Sequence, residues 1–189
     1  LNWNGLVSYL LKKDDKFKKL NIKNKIDESN INKDTVNQFF LNEDKEKIIA
    51  KAFKYHGPWA TVDDLKECGK NNLVFFGNHL FNHYNAKNLT TDELIIQFTT
   101  NQNNISKFDN FINLFSYPYG QPNVFFDNQT NKIIEKLEAK RIFTANPINY
   151  NLNSFVIHRL PMYDNLQTED QIRKYILLPK YKNYIKKII

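Results

Sequence analysis

Short apolar runs alternate with longer stretches of helical periodicity, and this alternation limits the fold more than any other feature of the chain. Leu73-Val74-Phe75-Phe76, residues 110–115, Arg141-Ile142-Phe143-Thr144 and Phe155-Val156-Ile157 are compact and apolar. The first is ended by Gly77, and each reads as a strand, the first two as buried ones. Between and before them the spacing is helical. Asn42 caps a helix over residues 43–55 that turns Ile48, Ile49, Ala52 and Phe53 inward, and Gly57-Pro58 stops it. Thr61 caps a short helix. Thr90-Thr91-Asp92-Glu93 forms a capping box that opens a long helix to about Ser106. Residues 121–140 are mostly helical, with Ile133, Ile134 and Leu137 inward. Strands that alternate with helices in this way build a parallel sheet or barrel of α/β type. With no internal repeat and no low-complexity linker, residues 1–189 read as a single domain.

The ends of the chain differ from its middle. Leu6, Val7, Leu10 and Leu11 give residues 3–13 helical spacing. Residues 14–30 are charged and read as a loop or insertion, and Asn32 to Thr35 as a helix start. Residues 165–189 read as a basic helical tail interrupted at Pro179. The net charge of +7 is concentrated in lysines near both termini. These are expected to form solvated faces, with contact to an anionic membrane surface as their alternative use. Nucleic acid is not an expected partner, because the lysines are not interleaved with aromatics and no nucleic-acid motif is present. Cys68 is the single cysteine, so no internal disulfide can form, and the thiol reads as buried and structural. The abundant asparagines read as compositional bias without chemical meaning. No apolar run reaches the roughly 18 residues that span a bilayer. No signal peptide is visible in a chain that opens on Leu1, which leaves a bacterial cytoplasm or cell envelope as the expectation.

Two motifs carry chemistry. Gly77-Asn78-His79-Leu80-Phe81-Asn82-His83 directly follows the first strand. Residues just past a strand's C-terminal end face the mouth of a barrel. Two histidines at i and i+4 can share one face of a helical turn, where neutral imidazoles chelate a divalent ion such as Zn²⁺. Ser116-Tyr117-Pro118-Tyr119-Gly120 ends the second strand. Its Pro118 and Gly120 make a rigid loop, and Tyr117 and Tyr119 could present aromatic faces to the apolar C–H surface of a sugar.

Together the motifs resemble those of the polysaccharide deacetylases of the NodB-homology group. That family's second motif, G-N-H-T-x-x-H-x-x-L, is similar to residues 77–83 with Leu89 further on. Its third, R-x-P-Y-G, is similar to residues 116–120, with Ser116 at the arginine position. A helix of the type T-W-D-x-L-K-E resembles residues 60–67, and residues 142–144 and 157–162 resemble the family's last strands. The resemblance covers about residues 59–164 well and the N-terminal third loosely. It implies an incomplete or distorted (β/α) barrel. It implies a metal-dependent hydrolase that removes N-acetyl groups from a polysaccharide or glycolipid sugar. His79 and His83 would hold the metal, Zn²⁺ by expectation. Residues Tyr117, Pro118, Tyr119 and Gly120 would form the substrate loop, and His158, the only late histidine, would be the catalytic acid. The family's first motif, T-F-D-D, supplies a general base and a metal-binding aspartate. Thr61-Val62-Asp63-Asp64 is not its equivalent, because it leads into a helix, where Asp63 and Asp64 read as first-turn acids. The first strand and both aspartates are therefore expected to be absent from the chain. The alternative is a catalytically inactive homologue that binds glycan or scaffolds a partner. His56 is assigned no role.

Overall fold

The computed structural model describes residues 9, 12–13, 45–57, 60–145, 154–159 and 168–174. The helix expected over residues 3–13 lies largely outside them. So do the loop over 14–30, the helix start at residues 32–35 and most of the basic tail.

Helix α1 (Lys45–His56) buries Ile48 and Ala52, which lie four residues apart and so on one face. Phe53 is exposed, so the inward face is narrower than the periodicity implied. Gly57, at φ +83°, ends the helix in the left-handed conformation that glycine adopts without strain, and its N–H donates to the Phe53 carbonyl. Helix α2 (Val62–Gly69) opens on Thr61 with a reciprocal capping box. The Asp64 N–H donates to Thr61 Oγ1, and the Thr61 N–H donates to Asp64 Oδ2 at 2.7 Å. The helix buries none of its residues, so Cys68 is exposed rather than buried.

Strand β1 (Phe76–Asn78) starts later than the apolar run before it implied. Leu73 and Phe75 are 84% and 57% exposed, so most of that run is neither strand nor core. Helix α3 (Thr91–Ile105) carries the expected Thr90–Glu93 capping box and leads to β2 (Phe111–Ser116). Helix α4 (Asn128–Lys136) is shorter than expected, because Asp127 caps it with its own box to Thr130 and residues 121–127 form a turn. Strands β3 (Arg141–Thr144) and β4 (Val156–His158) complete the sheet.

The four strands are all parallel and lie in the order β1-β2-β3-β4. The order never reverses, so the sheet is singly wound like the wall of a barrel, but among the described residues it does not close. This is the incomplete barrel that the motifs implied. Strict side-chain alternation gives the sheet two unlike faces. On one, Phe115 stands beside Ile142 and Ile142 beside Val156. Leu94, Phe98 and Ile134 from the helices bury this face, and Phe115, Ile142 and Ile134 are fully inaccessible. Each such side chain contributes about 1.5–3 kcal/mol by leaving water. On the other face Ser116 stands beside Phe143 and Phe143 beside Ile157, and none of the three is buried.

Candidate active site

Because the strands are parallel, their C-terminal ends share one rim, and the loops that leave β1 and β2 meet there. The β1 loop is built from amides. Asn78 is 1% exposed and fully engaged. Its Nδ2 donates to the Phe98 carbonyl and to Gln102 Oε1, and its Oδ1 accepts from the Leu80 N–H and from Asn101 Nδ2. Gln97 holds the next two residues: its carbonyl accepts from the Phe81 N–H and its Oε1 from the Asn82 N–H at 2.8 Å. In the loop that these bonds frame, Leu80 and His83 adopt φ +59° and +58°, conformations that disfavour side chains with a Cβ by roughly 1–2 kcal/mol each. Gly77 is needed as well, since a Cβ there would sit 3.0 Å from the Leu114 carbonyl oxygen.

The histidines are brought together by this bent loop and not by the helical turn that their spacing suggested; residues 79–85 contain no helix. Their ring centroids lie 4.9 Å apart, edge to face. His79 Nδ1 is 2.7 Å from the Ser116 carbonyl oxygen. A carbonyl can only accept, so Nδ1 carries the proton and Nε2 is left with its lone pair. The Ser116 hydroxyl, 2.8 Å from the same nitrogen, is a second acceptor. Burial holds His79 below the ordinary imidazole pKa, against the opposing pull of its Ser116 bond, and the nearby charges of His83 and Arg159 add to the effect. Burial lowers His83 as well. Both rings are therefore neutral near pH 7, the form that binds a metal.

The β2 loop divides its two tyrosines. Tyr117 is completely buried, with its ring stacked on Phe126 at 4.3 Å and its hydroxyl donating to Asn131 Oδ1. Burial raises its pKa far above the usual phenol range. It belongs to the core and offers no face to a sugar, contrary to the expectation from the motif. Pro118 is buried beside it. Tyr119, at φ +62°, stacks on Phe125 and meets the edge of His83 at 4.9 Å. Gly120, at φ +80°, lies where a Cβ would come within 2.9 Å of the Ala145 nitrogen, so the loop closes tightly on the end of β3. The two loops are also joined to each other. The Lys87 N–H donates to the Phe125 carbonyl, Lys87 Nζ to the Asn123 carbonyl and Asn85 Nδ2 to the Val124 carbonyl.

His158 is not brought to this cluster. It pairs in register with Thr144, two positions along from Ile142 and Val156 and so on the helix-covered side of the sheet, and its Nδ1 is engaged by Thr144 Oγ1. Asp63 and Asp64 also stand apart, the first paired with Lys66 and the second held by its cap. The two hydrogen bonds from Thr61 keep the Asp64 carboxyl below its ordinary pKa. Among the described residues no third His, Cys, Asp or Glu joins the histidine pair.

Sequence reasoning missed two contributions. The amides Asn78, Gln97, Asn101 and Gln102 set the loop. Their signal was the placement of Gln97 and Asn101 four apart on the helix that follows the histidines. Arg159, immediately after β4, lines the open face. The cleft there is about 250 Å³, bounded also by Gly77, Ile112, Leu114, Ser116 and Phe143.

No curated protein and no solved structure matches the chain. The family model described as polysaccharide deacetylase matches residues 27–142, well over half of the chain. That span holds both loops and the histidine pair, and the chain belongs to the polysaccharide deacetylase family.

Proposed function

We propose that the chain acts as a metal-dependent N-deacetylase on a polysaccharide or glycolipid sugar, with His79 and His83 as ligands of a divalent ion, Zn²⁺ by ligand type. Membership of the family supports the deacetylase-type activity and the polysaccharide substrate. The observation that carries the metal reading is the His79–Ser116 bond. It fixes the tautomer with Nε2 unprotonated, as carbonyl-bonded metal ligands are fixed, and it leaves His83 alongside.

When bound, a divalent ion supplies a Lewis acid that polarises an acetamide carbonyl and acidifies water. The chain's own residues do the rest of the positioning. Ser116 orients His79, Tyr119 presses on His83, and Leu114 and Phe143 give the cleft an apolar floor that excludes water from a bound acetyl group. His158 is given no proton-transfer role, because Thr144 engages it on the covered side of the sheet.

A second reading, an inactive homologue that binds glycan, is favoured by the lack of a third protein ligand among the described residues. Metal content separates the two. Protein supplied with excess Zn²⁺ is expected to bind about one zinc per chain, more weakly than a site with three protein ligands would, and to release acetate from N-acetylated oligosaccharides. His79→Ala and His83→Ala are expected to lose both. Zinc-free wild-type protein that still binds the oligosaccharide would establish the second reading instead.

A further inference from the structure

Arg159 is the charged residue that lines the cleft on the open face of the sheet, and no described carboxylate lines it. Arg159 follows β4 directly and is anchored there by its own N–H, which donates to the Thr144 carbonyl at 2.8 Å. Its side chain reaches across the rim, with Nη2 lying 3.4 Å from the position a Cβ on Gly120 would take. The guanidinium thus stands where the β2 loop ends, in the same cleft as Ser116, whose carbonyl and hydroxyl hold His79. Among the described residues no carboxylate pairs with it; the acids that form ion pairs there, Asp63, Glu67 and Glu169, all pair with other cations. A guanidinium that shares a cleft with apolar Leu114 and Phe143 and has no described carboxylate beside it favours an anion that can accept its paired N–H groups.

We propose that Arg159 is a carboxylate-binding residue of this cleft, gripping a carboxylate oxygen pair beside His79. The reading rests on the cleft being the deacetylase site, and it gives that site a preference for anions. Two ligands carry the required group. One is acetate, the product that hydrolysis of an acetamide releases. The other is the ring carboxylate of a uronic acid in the substrate. A bidentate fork suits both, since the guanidinium's parallel N–H groups match the spacing of carboxylate oxygens. A lysine would carry the same charge without that geometry.

The chain has three arginines, Arg141, Arg159 and Arg173, so the side-chain Nε–H region of a ¹⁵N spectrum should hold three cross-peaks that single substitutions assign. The test titrates sodium acetate, sodium glucuronate and neutral N-acetylglucosamine separately into the full chain, with sodium chloride as the ionic control. The Arg159 cross-peak is expected to move saturably with a carboxylate while those of Arg141 and Arg173 stay in place. Arg159→Gln is expected to weaken the response at least ~10-fold, and Arg159→Lys by about 3–10-fold, as loss of charge and loss of the fork respectively. Tighter binding of glucuronate would name an acidic glycan as the substrate. A response to acetate alone would name the released product.

Movement of all three peaks, equal movement with chloride, a response only to N-acetylglucosamine, or a response unchanged in Arg159→Gln would overturn the proposal. The backbone spectrum of each variant shows that it is folded. Zinc content measured on the same preparations keeps the two ideas separate. Zinc without a carboxylate response removes this inference and leaves the histidine site, whereas a carboxylate response without zinc does the reverse.

Discussion

The two faces of the sheet share the same strands and differ in almost everything else. Phe115 and Ile142 point into a dry layer closed by Leu94, Phe98 and Ile134. One residue along each strand, Ser116 and Phe143 point into an open cleft with Arg159. The alternation of the β-strand places packing and chemistry one residue apart. Tyr117 and Tyr119 repeat the lesson in the loop that follows, where two residues of one type and one short motif become a core ring and a rim ring.

The sharpest way to break the comparison is by truncation. Phe115→Ala should destabilise the fold by about 3–5 kcal/mol, the range for an aromatic removed from a packed core. Phe143→Ala, one register position away on the open face, should destabilise it by about 1 kcal/mol or less. Urea denaturation of both variants measures the contrast, and equal losses would mean that the faces are not distinct. A smaller effect separates the tyrosines. Tyr117→Phe removes one hydrogen bond, to Asn131, and should lower stability by about 1 kcal/mol with deacetylation unaffected. Tyr119→Ala should lower deacetylation and leave stability nearer to wild type, so urea midpoints and acetate release from one oligosaccharide should rank the two variants in opposite orders.

The smallest expected effect is one of pH. His79 and His83 have folded pKa values below the ordinary 6.5, so below about pH 6.5 the unfolded chain binds more protons than the folded one. Their contribution to stability is present above that value and is lost as pH falls through the depressed folded values. The urea midpoint should therefore decline below about pH 6.5, and His79→Gln should flatten part of the decline. A midpoint that rose on acidification would contradict the neutral assignment of the pair.

The sequence made much of the frame legible because the signals were local. The Thr90–Glu93 box, the apolar run into β2 and the Arg141–Thr144 strand each specify themselves within a few residues. Misreadings arose where the outcome depended on distant partners. Leu73 and Phe75 look like core residues, but β1 is an edge of the described sheet, and no described element buries them. Cys68 looked buried because nothing in its own helix showed that α2 turns no residue inward. The histidine spacing fitted a helix, whereas the observed loop is dictated by amide bonds from Gln97 and Asn101, residues on another element. For the same reason the asparagines, read as mere bias, include the residue that fixes the motif, Asn78. Arg159 was unreadable as a cleft residue because only the strand order brings the end of β4 to the rim shared by β1 and β2.

The bonds that join the β1 loop to the β2 loop have a dynamic consequence. The Lys87 amide is occupied by the Phe125 carbonyl, and Lys87 Nζ and Asn85 Nδ2 grip the two residues before it. Neither loop can swing outward without breaking bonds to the other, so the pair opens as one cooperative unit or not at all. Separation of the two loops is therefore a single equilibrium. The rate at which the Lys87 amide proton exchanges with solvent reports that equilibrium directly.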